Sequence, residues 1–162
     1  MGACEVREAA EFGITQKVPD WLSGFKVRDA LRLLEATVFA FLVGNSDMHL
    51  ENWTLVCDGG RVALSPAYDL LPVRVLVRDP EELALPINGR KNWLRRRDFA
   101  ALASHLKIPE VVTRRTLDHL PVRLLRTLGE LPSPRRTPGR PALVSLVRER
   151  WASALAISKV AL

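Results

Sequence analysis

A mainly α-helical domain with one small β-hairpin is predicted by three features of the sequence. These are an amphipathic stretch from Lys26 to Val43, two short β-favouring runs around Asp58-Gly59-Gly60, and a C-terminal half where apolar residues recur at helical spacing between prolines and glycines. The 162 residues, 48% hydrophobic and 26% charged, suit one core rather than a disordered segment. A chain of this size buries roughly 70% of the surface its unfolded form exposes, so it needs neither disulfides nor a structural metal.

Residues 1–25 show no sustained period, and Gly13, Pro19 and Gly24 break them into turns. They read as a lead-in to a domain spanning 26–162. Val27, Ala30, Leu31, Leu34, Val38 and Phe41 then fall on one face of a helix. Gly44-Asn45 ends it, because both residues tolerate the left-handed conformation of a helix stop. Trp53–Cys57 and Arg61–Ser65 are the arms of the hairpin. Pro66, Pro72, Pro80 and Pro86 forbid long elements over 66–92, leaving loop with one helical turn expected at Glu81–Ala84. A long irregular stretch in a small domain is usually functional. Beyond it, Arg97–Leu106 is helical, and a second pattern runs from Pro109 to about Leu128, where Pro121 predicts a kink or a break into two helices. Leu131–Pro141 reads as a linker. A last amphipathic helix covers Ala142 to about Ser158, with Trp151 on its apolar face.

The longest apolar run, Ala36–Val43, is far short of the roughly 20 residues that span a bilayer, so no membrane association is expected. Acidic Glu5, Glu8 and Glu11 stand where a targeting peptide would be basic, which predicts a cytoplasmic protein. Cys4 and Cys57 have no metal-type spacing and read as free thiols. Charge is unevenly divided. Residues 1–87 carry 8 Lys and Arg against 13 Asp and Glu, a net −5, whereas residues 88–162 carry 16 against 5, a net +11. Such asymmetry suggests an acidic partner or a nucleic acid, although basic solvated helices give the same balance. Trp93 beside Arg95-Arg96-Arg97 is the only aromatic interleaved with a basic run, so DNA contact is expected to be indirect or weak.

The chemistry is concentrated in Gly44-Asn45-Ser46-Asp47-Met48-His49-Leu50-Glu51-Asn52, followed by the hairpin and Ser65-Pro66-Ala67-Tyr68-Asp69-Leu70-Leu71. An Asp followed after four residues by an Asn can place a carboxylate beside an attacking hydroxyl and a carbonyl oxygen beside a magnesium ion. The second carboxylate, Asp69, arrives across the hairpin. Asn52 and Asp69 are thus the candidate Mg2+ and ATP-binding pair, since magnesium takes one or two hard protein oxygens and shares the nucleotide's phosphates. Asp47 is left as the candidate catalytic base. The spacing alone matches many turn-forming loops.

The full string resembles the catalytic and metal-binding segments of the HipA-like serine/threonine kinases, especially their shorter HipT-type branch. The likeness runs from about Leu22 to Leu106 and includes Leu83-Ala84-Leu85-Pro86-Ile87-Asn88-Gly89 and the helix from Asp98. It implies a protein-kinase-like C-terminal lobe in which Asp47 is the catalytic Asp, and Asn52 and Asp69 hold Mg2+. It also implies ATP as co-substrate, a protein hydroxyl as acceptor, and membership of a toxin–antitoxin system. His49 matches the family and is expected to brace the loop, as is Asn45. Glu51 departs from the lysine often found there. Tyr68 is expected to pack as a core aromatic. No glycine-rich phosphate loop or strand lysine is visible, and Lys17 and Lys26 lie in no strand context. The N-terminal nucleotide lobe is therefore expected to be absent from this chain, which reads as a truncated kinase, as a fragment of a split kinase completed by a separately encoded partner, or as a catalytically silent module binding an antitoxin-like partner or DNA through its basic half.

Overall fold

The computed structural model describes residues 27–58, 61–77, 82–132 and 137–156. The lead-in, residues 1–25, lies outside them. Helix α1 (Val27–Val43) follows the predicted period, and its Leu34, Val38 and Leu42 are fully buried. It stops at Gly44 with φ +76°, where the Asn45 N–H reaches back to the Ala40 carbonyl at 2.9 Å. Glycine is required here twice over. The conformation is left-handed, and an added Cβ would sit 2.7 Å from Leu146 Cδ2.

Strands β1 (Leu55–Asp58) and β2 (Arg61–Leu64) pair antiparallel, with Leu55 opposite Leu64 and Asp58 opposite Arg61. Leu55 and Leu64 are buried while Val56 is exposed, the alternation of a sheet with one face on the core. The helical turn expected at Glu81–Ala84 is not where the sequence placed it. Glu81 lies outside the described residues, Glu82–Ala84 is non-helical, and the turn is α2 (Val73–Leu76), directly after Pro72. Pro86 favours an extended Leu85. Nearby amides are committed to other partners: Leu83 N–H to the Lys91 carbonyl, and Ala84 N–H to the Ser46 carbonyl, each at 2.9 Å.

Helices α3 (Arg96–His105), α4 (Glu110–Glu130) and α5 (Arg140–Arg150) complete the fold, the last running into a π turn at Trp151–Leu155. The break expected at Pro121 is corrected: α4 is one helix through it. Pro121 costs the Leu117 carbonyl its usual donor. Both residues are buried, and α4 packs on α1, α3 and α5, so tertiary burial outweighs the lost bond. Helix α5 begins two residues before the expected Ala142, with Pro141 in its first turn, where a missing N–H does no harm. The ends of the preceding linker are tied by Arg140 Nη1, which donates to the Leu131 and Pro132 carbonyls at 2.6 and 2.9 Å. Leu34, Phe99, Leu102, Leu117, Val147 and Leu155 form the centre of the core, and the Phe41 and Phe99 rings meet with centroids 5.1 Å apart. Trp151 packs against this core, as expected. Among the described residues, no helix is long and apolar enough to cross a membrane.

Candidate active site

The loop after α1 is held from three directions. Arg74 N–H donates to the Gly44 carbonyl at 3.1 Å, Ala84 N–H holds the Ser46 carbonyl, and Asn45 bridges to Asp69. Asn45 is 1% exposed and uses both ends of its amide. Nδ2 donates to the Asp69 carbonyl at 3.0 Å, and Oδ1 accepts from the Asp47 N–H at 3.1 Å. The expected bracing role of Asn45 is thus explicit: one side chain links the backbones of the two candidate acidic residues.

Asn52 and Asp69 meet although the hairpin separates them in sequence. Asn52 Nδ2 donates to Asp69 Oδ2 at 2.8 Å. Asp69 holds φ +54°, a left-handed conformation that Asp tolerates better than most residues and that presents its exposed carboxylate to Asn52. Asn52 is 6% exposed, and its Oδ1 has no hydrogen-bond partner. A buried amide oxygen without a donor costs about 1–3 kcal/mol in an ordinary core. A hard cation there would satisfy it. Among the described residues, no three His, Cys, Asp or Glu side chains cluster to hold a metal alone. A buried amide oxygen beside one exposed carboxylate is a pair of hard oxygen donors, the kind a cation such as magnesium would use with phosphate oxygens and water completing its shell.

Asp47 faces solvent, its side chain 67% exposed, and its carboxylate makes no hydrogen bond to Asn52 or Asp69. It is available to an incoming hydroxyl. His49 Nε2 lies 3.9 Å from Asp47 Oδ1, beyond hydrogen-bond reach, and its backbone N–H donates to the Asp47 carbonyl at 2.8 Å. Glu51, at the departure from the family pattern, is 92% exposed at its side chain.

Tyr68 is not the core aromatic expected. It is 41% exposed, and its hydroxyl donates to the Glu51 carbonyl at 2.6 Å and accepts from Thr54 Oγ1 at 2.6 Å. Tyr68 ties the segment carrying Asp69 to the foot of the hairpin. A cavity of about 340 Å³ lies behind the loop, lined by Asn52, Trp53, Met48, Phe39 and Leu64 among others.

Sequence reasoning missed Arg150. Its guanidinium lies over the Phe41 ring, 4.8 Å from the centroid, and Nη1 donates to the Phe41 carbonyl in the last turn of α1. That turn carries no basic residue of its own, so α5 supplies the cation that complements the helix C-terminus. Burial, with the like charge of Arg74 adding and Glu149 opposing, lowers Arg150 to about 10, which leaves it cationic at neutral pH. No local pattern could have paired it with Phe41.

Comparisons with known proteins agree on one relationship. The family model described as the HipA-like C-terminal domain matches residues 3–127. Two curated proteins of Sinorhizobium fredii are similar. "Putative kinase Y4dM" is 36% identical over 85 residues, 51% of this chain and 21% of that protein. "Putative kinase Y4mE" is 42% identical over 43 residues, 26% of this chain and 10% of that protein. Among solved structures, the HipA toxin–antitoxin complex of Shewanella oneidensis MR-1, with HipB and operator DNA, superposes with a TM-score of 0.60. That match has 20% identity and covers 77% of this chain and 31% of the other, and it shows a shared fold. The chain thus spans about a fifth or less of the curated relatives and under a third of the solved one.

Proposed function

The chain belongs to the HipA-like C-terminal domain family, and from that premise we propose that it carries the catalytic centre of an ATP- and Mg2+-dependent serine/threonine-protein kinase. The observation that carries the reading is the Asn52–Asp69 pair with its partnerless buried Oδ1, set one short loop away from a solvent-facing Asp47. Bound magnesium with ATP would supply a transferable phosphoryl group and neutralise its charge. Asn52 Oδ1 and the Asp69 carboxylate would hold the ion. Asp47 would orient the acceptor hydroxyl and take its proton as the new P–O bond forms and the bond to ADP breaks. Asn45 keeps the backbones carrying Asp47 and Asp69 in register.

The names of the Sinorhizobium relatives support kinase chemistry, and the fold shared with HipA supports a toxin–antitoxin setting with an antitoxin protein as partner. The test is phosphate transfer from labelled ATP with Mg2+, comparing the chain with Asp47→Asn, alone and mixed with any neighbouring gene product that supplies a nucleotide lobe. Transfer abolished by Asp47→Asn is the expected result. Transfer absent in every mixture would leave a silent binding module, for which the +11 half is the supporting feature.

A further inference from the structure

The segment joining the hairpin to α3 carries an anomaly that catalysis does not explain. Trp93 has φ +53° and is 80% exposed, the most exposed of the large hydrophobic residues described. A bulky residue in the left-handed region is a genuine outlier. Its neighbours on both sides are anchored. Leu94 is buried in the core, and Asn92 Nδ2 is tied to Glu82 Oε1 at 3.0 Å. Between these anchors the indole is turned out to solvent, where it buries almost nothing. Strained backbone that serves no contact among the described residues points to an external one.

The surrounding charges are not equivalent. Arg95 Nη1 donates to the Ser153 carbonyl, Arg96 to the Leu155 carbonyl and to Asp118, and Arg90 Nε faces Asp98 at 3.9 Å. Lys91 and Arg97 are exposed and have no side-chain partner among the described residues. One presented indole is too few stacking surfaces for a nucleic-acid strand, which needs a continuous basic groove with several of them. It suits a short acidic stretch of polypeptide with one apolar side chain. Aromatic anchors with charged neighbours are the usual centres of such contacts.

The position ties this patch to the site. The Ser46 carbonyl, one residue before Asp47, accepts from Ala84 N–H, and the adjacent Leu83 N–H donates to the Lys91 carbonyl. Two such steps put the Lys91 backbone roughly 10 Å from the catalytic loop, at about 4.8 Å per step. An extended peptide covers that in roughly three or four residues.

We propose that Lys91, Trp93 and Arg97 form the docking surface for an acidic segment of the phospho-acceptor protein, lying roughly three to six residues from the acceptor hydroxyl. This rests on the kinase reading of the adjacent loop. Two fluorescein-labelled peptide pools test it. Each has a central serine, with flanks drawn from Asp, Glu, Leu and Phe in one and from Lys, Arg, Leu and Phe in the other. Anisotropy with the full chain should show binding of the acidic pool only. Trp93→Gly relieves the left-handed backbone, so it should fold normally and weaken binding about tenfold. Lys91→Glu with Arg97→Glu should abolish acidic-pool binding.

Equal binding of both pools, or binding of neither, would overturn the proposal, as would acidic-pool binding indifferent to all three substitutions. So would tighter binding of a mixed-sequence single-stranded oligonucleotide lost in the same variants. The two readings fail separately. Acidic-pool binding that depends on Trp93 without phosphoryl transfer under any condition sinks the kinase reading alone. Transfer to serine peptides that ignores flanking charge and Trp93→Gly sinks the docking surface alone.

Discussion

Two Asn–Asp pairs stand among the described residues and differ in which member is buried and how far it is satisfied. At the candidate site, Asn52 donates to Asp69, while Asn52 Oδ1 is left buried without a donor and Asp69 is exposed. Away from it, Asn88 Nδ2 donates to Asp98 Oδ1 at 2.9 Å, Arg95 N–H donates to Asp98 Oδ2 at 2.8 Å, and Asp98 has no exposure. Both pairs include a residue with positive φ, Asp69 in one and Asn88 in the other. Identical chemistry therefore has two uses. A pair whose buried carboxylate has both oxygens hydrogen-bonded inside the protein locks a loop, and a pair with a buried oxygen left open can take something from outside. Residue type does not separate them; what is buried, and whether it is satisfied, does.

The largest expected effect would come from the open pair. Asp69→Asn should reduce phosphoryl transfer on the order of 10³-fold, read with labelled ATP. The same variant should shift stability by no more than about 0.5 kcal/mol in a denaturant melt, because the side chain is exposed. If it unfolds the domain instead, the contrast between the pairs collapses. Asp98→Ala is the mirror experiment. Removing a fully buried carboxylate leaves Asn88 Nδ2 and the Arg95 N–H unpaired, and it should cost about 3 kcal/mol of unfolding free energy.

Gly44→Ala tests the base on which the site loop rests. It combines a strained φ with a clash against Leu146 and should cost about 2 kcal/mol, measured by urea titration. The smallest expected change sharpens the comparison most. Asn52→Ala loses a hydrogen bond of about 1 kcal/mol but also removes the partnerless oxygen, so the two should nearly cancel in a metal-free melt. Magnesium should then stabilise the wild type with ATP present and leave Asn52→Ala unmoved. A loss of 2 kcal/mol or more in the absence of metal, roughly the cost of leaving a buried polar partner unpaired, would give Asn52 a structural role like that of the Asn88–Asp98 pair.

The sequence reveals what is local. Apolar spacing placed α1 and Asp58-Gly59-Gly60 placed the hairpin, because each depends on a few adjacent residues. The loop string singled out Asp47, Asn52 and Asp69 as candidates, and Asn52 and Asp69 do meet. What was not legible depends on distant partners. Pro121 reads as a break until its burial between other helices is known, and the helical turn near Glu81 gives way to amides claimed by Ser46 and Lys91. Tyr68 has a core residue's composition and a surface residue's place, fixed by the Glu51 carbonyl. Open and closed Asn–Asp pairs also look alike in one dimension, because the missing donor at Asn52 is a property of the packed chain.

The seating of Gly44 and Phe41 on Leu146 and Arg150 has a temporal meaning. The Arg150–Phe41 contact spans 109 positions of the chain. At synthesis rates of about 5–20 residues per second, the loop bearing Asp47 is made on the order of 5 to 20 s before the residues that seat it. A nascent chain thus carries its acidic loop without the cation that completes the end of α1. Order of translation acts as a timer, and the end of α1 gains its complementing cation only once α5 has docked.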